Sequence, residues 1–387
     1  MLQSLLNNWR SHREAWIGLS RFNLLPAAQK RIVFYAETAA DWAYLDPVAQ
    51  ALERRGQALV RICSDPEDPA RQQPHSFFVG SGGPRTALFR TIQADAFVMT
   101  LCDLEQFTLK RSAHPVHYFY IFHSIASIHR VYRAHAFDAY DTLLCVGPHH
   151  EREIRRTEEV YGLKPKHLVP HGYGRLDTLL QDLAGRAPAA PAGGPLRVLV
   201  APTWGESSLV EHGLEPLLAV LLRAGFAVTL RLHPMTKRHH PELAADMAAR
   251  FAGRGSLQID PHINTTQSLL EADIMISEWS GAPLDYAFAR LRPVIFIDTP
   301  PKIHNPEHGL LGLPCLEEEI RPKIGRVVPP DQCETLPGLV RELTAQAQAW
   351  TEKIRAVRQE SVYYVGSSGE AGAQAILKRL PGNEANA

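Results

Sequence analysis

Short apolar, β-rich runs alternate with amphipathic stretches along almost the whole chain, and one Ala/Gly/Pro segment breaks the alternation near the middle. No other feature narrows the fold so far. Residues 31–36, 58–63, 96–101, 116–122 and 142–146 read as buried strands, bounded by polar or turn-forming residues. Helical patterns at 44–55, closed by Gly56, and at 149–161 lie between them. Residues 184–195 are almost all Ala, Gly and Pro, with Arg186 the one charge, which predicts a linker over 181–196. The rhythm then restarts. Strands are predicted at 197–201, 227–232, 257–259, 274–277 and 293–297, helices at 214–224, 242–250 and 282–288, and a long helix over 336–360.

Strand–helix alternation predicts parallel sheets covered by helices on both faces. Two such units with a linker between them predict an α/β fold of two Rossmann-like doubly wound domains facing a cleft, the GT-B architecture. The expected division is a first Rossmann-like domain at 1–180, the linker at 181–196 and a second Rossmann-like domain at 197–364. A last helix near 369–379, within 365–387, is expected to cross back to the first domain. A chain of 387 residues can hold two such cores. The architecture by itself assigns no function.

Composition removes several classes. The 41 Lys+Arg balance 41 Asp+Glu, which argues against a polycation for nucleic acid. The five cysteines are scattered without metal-ligand spacing and read as small buried hydrophobes of a reducing compartment. No apolar run approaches a bilayer span, and the first residues lack the apolar core of a secretory signal. The expected location is therefore cytoplasmic. Within the first 25 residues, Leu2, Leu5, Leu6, Trp9, Trp16, Ile17 and Leu19 are interleaved with Arg10, Arg13 and Arg21. That pattern fits first a helix packed on its own domain, and second an interfacial helix in peripheral contact with the inner membrane.

Two histidines stand where a strand stops and a loop begins. His123 follows the run 116–122, with Ser124 next; His233 follows 227–232 and is followed by Pro234. Ligands of open α/β sheets bind beyond the carboxyl ends of strands, so histidines from two facing domains converge on one cleft. In Arg231-Leu232-His233-Pro234 the two polar residues flank an apolar one and can hold phosphate oxygens. In Ser277-Glu278-Trp279-Ser280-Gly281-Ala282-Pro283 a strand enters a loop and a helix begins. Ser280 is expected as its N-cap, and the free amides make an anion site. In Ala201-Pro202-Thr203-Trp204-Gly205, Thr203 can donate to a phosphate above Trp204. His171-Gly172-Tyr173-Gly174-Arg175-Leu176-Asp177 is a glycine-punctuated loop just before the linker. Each segment also has a plain structural reading: a surface Arg/His pair, an ordinary cap, an Asp285 that complements the first helical turn. Most of the 18 histidines must be structural.

In this order the segments resemble the CDP-glycerol:poly(glycerophosphate) glycerophosphotransferase family, the teichoic-acid polymerase and primase type. The resemblance runs from about Val116 to Ile297 through Phe122-His123-Ser124, Phe137–Asp141, Gly172–Asp177, Ala201–Trp204, Arg231–Pro234 and Ala272–Gly281 with Asp285. The chain departs from the family pattern at several places. Phe122 and Ser124 flank the first histidine where Trp and Gly are usual, and Gly174 replaces a proline. Gly205 replaces a frequent arginine, and Glu278-Trp279-Ser280-Gly281 replaces Asp-Tyr-Ser-Ser, with one hydroxyl fewer. These changes suggest a divergent branch whose product is a capsular or other surface polymer rather than wall teichoic acid.

The resemblance implies a CDP-activated polyol phosphate as donor, CDP-glycerol before CDP-ribitol, with no cofactor and no metal. It implies a polyol-phosphate or glycan acceptor, lipid-linked or free, and release of CMP. His123 is carried over as general base on the acceptor hydroxyl, and His233 as the group that stabilises the departing CMP. The substrate-binding set is Arg231, Thr203, Ser280, Gly281, Asp285, Ser124 and Arg175. A GT-B glycosyltransferase using a nucleotide sugar, a nucleotide-sugar 2-epimerase and an inactive binding subunit are the other readings.

Overall fold

The computed structural model describes residues 2–186, 194–261 and 266–382. The side chains of Leu2, Leu5 and Leu6 and linker residues 187–193 lie outside the described residues. Strands β1 (Ile32–Ala36), β2 (Val60–Cys63), β3 (Ser76–Phe78), β4 (Ala96–Met99), β5 (His117–Ile121), β6 (Thr142–Cys145) and β7 (His167–Pro170) form one parallel sheet in the order β3-β2-β1-β4-β5-β6-β7. Strands β8 (Arg197–Val200), β9 (Ala227–Leu230), β10 (Ser256–Ile259), β11 (Ile274–Ser277), β12 (Val294–Ile297) and β13 (Gly325–Val328) form a second, in the order β10-β9-β8-β11-β12-β13. Every pairing is parallel. The fold is the GT-B type expected from the alternation.

The central strands β1, β4, β5, β6, β11 and β12 are buried on both faces, apart from His117 at the start of β5, which is why they read as nearly continuous apolar runs. Phe34, Phe97 and Phe119 are fully enclosed, each contributing about 1.5–3 kcal/mol by burial. The strands that sequence reading misses are β3, β7 and β13, and all three are sheet edges. β3 has three residues, β7 ends on Pro170, and β13 begins on Gly325. An edge strand needs less apolar surface and tolerates Pro and Gly, so its signal is weak.

Two boundaries differ from expectation. The helix Gly174–Ala184 runs into the predicted linker, so residues 181–184 are helical. The turns Leu176, Leu179 and Leu180 pack inward and carry the helix past the point where composition changes. The predicted long helix is two, Leu336–Ala345 and Ala347–Ser361, divided at Gln346 (φ −91°, ψ 11°).

The chain returns to the first sheet through the helix Ser368–Leu377, which lies along the helix Trp42–Arg54. A Cβ on Gly369 would meet the Pro47 carbonyl oxygen at 2.3 Å, so the two backbones meet only because Gly369 has none. Arg54 and Glu370 pair at 2.8 Å on the outside. Asp177 fastens the crossing from within: its carboxylate accepts Gly366 N–H at 2.6 Å, Ser368 N–H at 2.7 Å and the Ser368 hydroxyl at 2.6 Å. Asp177→Ala leaves the two donors of buried Ser368, and the Gly366 N–H of the exposed turn before it, without their acceptor. We expect a loss of about 1–3 kcal/mol per unsatisfied group, read as a lower urea midpoint. An unchanged midpoint would contradict this role.

Candidate active site

The carboxyl ends of both sheets face one cleft of about 390 Å³. In the second sheet the order reverses between β8 and β11, and the loops beyond those two strands carry Thr203, Ser280 and Gly281. That is the switch point where open α/β sheets take ligands. His123 lies beyond β5, the strand next to the switch strand β4 of the first sheet. His123, Ser124, Arg175, Thr203, Arg231, His233, Ser280, Gly281 and Asp285 all line this cleft.

His123 packs against Tyr44 and Tyr132, with ring centroids 6.0 Å from each. Its Nε2 lies 3.1 Å from the Tyr132 hydroxyl, and the Tyr173 hydroxyl donates to its carbonyl at 3.3 Å. Burial pushes the imidazole below its ordinary value, so it is neutral and able to accept a proton at pH 7.

The loop after His123 is held by a triad of polar side chains on one face of the helix Pro148–Tyr161. Glu153 accepts Ile128 N–H at 2.7 Å and His129 N–H at 3.2 Å. His149 and His150 donate through Nε2 to the carbonyls of Ile125 and Ala126 at 2.7 and 3.1 Å. Burial pushes both imidazoles down, to about 4 and about 3, so they act as neutral donors. Burial opposes ionisation of Glu153, yet the His129 ring 3.0 Å away holds its carboxyl down to about 2.

Glu278 does the same for the second domain. It accepts Thr203 N–H at 2.7 Å and Leu209 N–H at 2.9 Å, and burial pushes its carboxyl up to about 7. Glu278 falls within a motif segment, where it stands in place of an aspartate, but the motif does not show its templating role, and Glu153 lies in no motif segment. The only signal is a charged residue set in an otherwise apolar or buried position, as Glu278 is directly after β11.

His233 is not the last residue of a strand. β9 ends at Leu230, and His233 is the N-cap of the short helix Pro234–His239. Its Nδ1 accepts Met235 N–H at 3.1 Å, which leaves Nε2 as the protonated nitrogen. Burial, then Lys302, push this imidazole down to about 4. It is a neutral donor rather than a cation. Arg231 is mostly buried, with Nη1 3.4 Å from Ser268 Oγ. Burial and the nearby Arg175 press its guanidinium below the usual arginine value, so an anion in the cleft relieves both.

The expected cap is also displaced. Gly281 takes the N-cap position of the helix Ala282–Arg290, already in α conformation (φ −73°, ψ −26°), and no side chain caps it. The helix starts at Ala282 as expected, but Ser280 lies one residue before the cap, with its hydroxyl on the cleft wall. A Cβ on Gly281 would lie 3.2 Å from Ser124 Oγ across the cleft. The hydroxyl missing at position 281 is thus met by one projecting from position 124 of the other domain.

Asp285 and Arg175 are engaged with each other. Arg175 Nε donates to Asp285 Oδ2 at 2.7 Å, with side-chain exposures of 17% and 8%. Asp285 raises the Arg175 pKa against the effect of burial, so the guanidinium stays charged. Burial pushes the Asp285 carboxyl up and Arg175 opposes that. The pair joins the helix after β7 to the helix after β11, and so ties one domain to the other.

Residues 125–309 match the protein-family model described as CDP-glycerol:poly(glycerophosphate) glycerophosphotransferase, just under half the chain. The match bears out the resemblance carried by the motifs. It begins directly after Ser124 and includes every candidate residue of the second domain. No curated protein matches the sequence. Among solved structures, a variant of the wall teichoic acid polymerase TagF superposes with TM-score 0.56 at 14% identity, over 98% of this chain and 98% of that one. UDP-GlcNAc 2-epimerase from Methanocaldococcus jannaschii, in complex with UDP-GlcNAc and UDP, superposes with TM-score 0.55 at 12% identity, over 89% and 99%. The enzyme from Neisseria meningitidis, bound to UDP-GlcNAc, gives 0.53 at 9%, over 90% and 99%. At such identities the likeness is one of fold.

Removing one partner of the buried Arg175–Asp285 pair strands the other charge. Arg175→Met is expected to cost about 3–5 kcal/mol in denaturant unfolding, most of it recovered in the Arg175→Met/Asp285→Leu double variant. Additive losses would mean the two side chains do not act as a pair.

Proposed function

We propose that this chain, whose residues 125–309 match the glycerophosphotransferase family, moves a polyol phosphate from a CDP-activated donor to an acceptor hydroxyl in surface-polymer synthesis. The observation that carries the reading is the cleft itself. Two neutral histidines, one from each domain, face it beside Arg231, Thr203 and the amides that open the helix Ala282–Arg290. We assign CDP-glycerol as the donor and a polyol-phosphate or glycan chain, lipid-linked or free, as the acceptor. No resident metal or cofactor is assigned.

In the step we infer, the acceptor oxygen attacks the β-phosphorus of the donor. A new P–O bond forms, and the bond from that phosphorus to the bridging oxygen of the pyrophosphate breaks. The bridging oxygen leaves on CMP. The acceptor proton passes to His123 Nε2, where an O–H already sits in the form of the Tyr132 hydroxyl; the acceptor hydroxyl takes that place. His233 Nε2–H and Arg231 meet the charge that develops on the departing CMP. Ser124 and Ser280 offer hydroxyls from opposite walls to the transferred phosphoryl group. Arg175 and Asp285 act chiefly by holding those walls together.

Release of CMP from CDP-glycerol tests the reading. Acceptor-dependent release is expected; turnover of a UDP-sugar with silence toward CDP-glycerol and CDP-ribitol would replace it by sugar transfer. His123→Ala should lower kcat by about 10²–10⁴-fold while CDP still binds. Tyr132→Phe should stay within about tenfold of the wild type, since it removes only a competitor for Nε2. The lowered imidazole pKa values put the acid limb of kcat/KM below the ordinary histidine value of about 6.5. A limb above that value, or an active His123→Ala protein, would remove His123 as the base.

No helix among the described residues is long and apolar enough to cross a membrane. The helix Leu2–Asn23 buries Ala15, Leu19 and Phe22 on its own domain, yet turns Trp9 (63% exposed), Trp16 (44%) and Ile17 (47%) outward beside exposed Arg10, Arg13 and Arg21. We assign this face to peripheral contact with an anionic cytoplasmic membrane surface. Co-sedimentation with phosphatidylglycerol vesicles, weakened at least tenfold in Trp9→Ala/Trp16→Ala, is expected. Equal pelleting of that variant would place the contact elsewhere.

A further inference from the structure

Beyond the residues that motif matching picks out, one cation stands in the donor half of the cleft. Lys302 lies on the loop that leaves β12, the strand beside β11, and so emerges at the same carboxyl edge as Thr203 and Ser280. Its Nζ is 3.4 Å from Thr203 Oγ1 and 4.4 Å from the centroid of the Trp204 ring. Trp204 in turn packs against His233, with ring centroids 6.1 Å apart. Lys302, Thr203 and His233 therefore form one arc on one wall.

The ammonium is poorly compensated where it sits. Among the described residues, no carboxylate forms an ion pair with it. The acid that acts on it most is Glu278, whose Oε1 accepts two backbone N–H groups and whose Oε2 makes no hydrogen bond, to Lys302 or to any other described residue. Burial pushes the ammonium down to about 8, so it is charged at pH 7 at a cost in solvation that an anion would offset. The aromatic face beneath Nζ and the Thr203 hydroxyl beside it fix its direction while leaving donor hydrogens free. A half-buried cation held this way, with no ion pair among the described residues, is the arrangement expected of a phosphate ligand.

We propose that Lys302 is a phosphate-binding residue of the donor site, contacting the pyrophosphate oxygens of the nucleotide and stabilising the charge left on the nucleoside monophosphate when it departs. The assignment of the nucleotide as CDP rests on the function proposed above; that of a nucleotide phosphate does not. The role is separable from that of the two histidines. His233 supplies one neutral N–H to the same wall, whereas Lys302 supplies full charge and is expected to govern affinity for the phosphates rather than proton transfer.

Calorimetric titration of the full-length protein with cytidine, CMP and CDP tests this, using the wild type, Lys302→Met and Lys302→Arg. Methionine keeps the stem over Trp204 and removes the charge. Lys302→Met is expected to weaken CDP and CMP at least tenfold and to leave cytidine within twofold, with Lys302→Arg restoring most of the CDP affinity. In turnover the same variant should raise KM for the donor and lower kcat. Equal weakening of cytidine and CDP would show that Lys302 only shapes the pocket, and unchanged CDP binding would overturn the proposal outright. A wild type that binds UDP and not CDP would instead sink the proposed function. The same comparison would then be made between uridine and UDP, and equal loss of both in Lys302→Met would overturn the role of Lys302.

Discussion

The geometry of the cleft depends on a buried charge pair that spans it. Arg175 and Asp285 come from helices of different domains, and their 2.7 Å contact sets how closely the two carboxyl edges approach. A pair so little exposed is strongly favoured over either charge alone, so it acts as a register pin as well as a bond. The opposite side of the cleft is closed by neutral contacts. Ser127 Oγ accepts Leu316 N–H at 2.7 Å, and Asn305 donates to the His129 carbonyl at 2.9 Å. Arg130 and Glu318 add an ion pair at 2.6 Å near the surface. These contacts bridge the two domains on that side of the cleft.

Within that frame, two buried carboxylates perform matching tasks. Glu153 gathers the amides of the loop that follows His123, and Glu278 those of the loop that carries Thr203. Each braces an irregular loop by accepting its backbone donors, and Glu153, held ionised beside His129, does so through charge-assisted bonds about twice as strong as neutral ones. The consequence is a division of labour in electrostatics. The imidazoles that line or brace the cleft are kept neutral by burial, while fixed positive charge comes from Arg231, Arg175 and Lys302. Neutral bases and fixed cations suit a reaction that moves one proton and a highly anionic group.

The departures from the family pattern make sense in pairs once the domains face each other. A serine after His123 and a glycine after Ser280 look unrelated in sequence, being more than a hundred positions apart. In space, Ser124 Oγ occupies the room that a side chain at 281 would need. The glycine for histidine-flanking serine exchange is therefore a statement about distance across the cleft.

The doubly wound fold was legible because buried parallel strands must be apolar along their length. The strand-end positions of His123, Arg231, Thr203 and Ser280 followed from the same pattern, as did their convergence on one side of each sheet. Other features rest on contacts between residues far apart in the chain, which local periodicity cannot encode. Asp285 looks like a first-turn acid until Arg175 is seen beside it. His233 looks like a strand end until its ring is found capping the next helix. Glu153 and Lys302 lie in no motif segment, and Glu278 lies in one that does not reveal its backbone partners, since a lone charge in a sequence is solvated by default. Sequence by itself determined which edges of the sheets would hold the chemistry. Only tertiary structure decided which charges are paired, which are neutral and which face the substrate, because those outcomes depend on burial and on partners that the fold alone brings together.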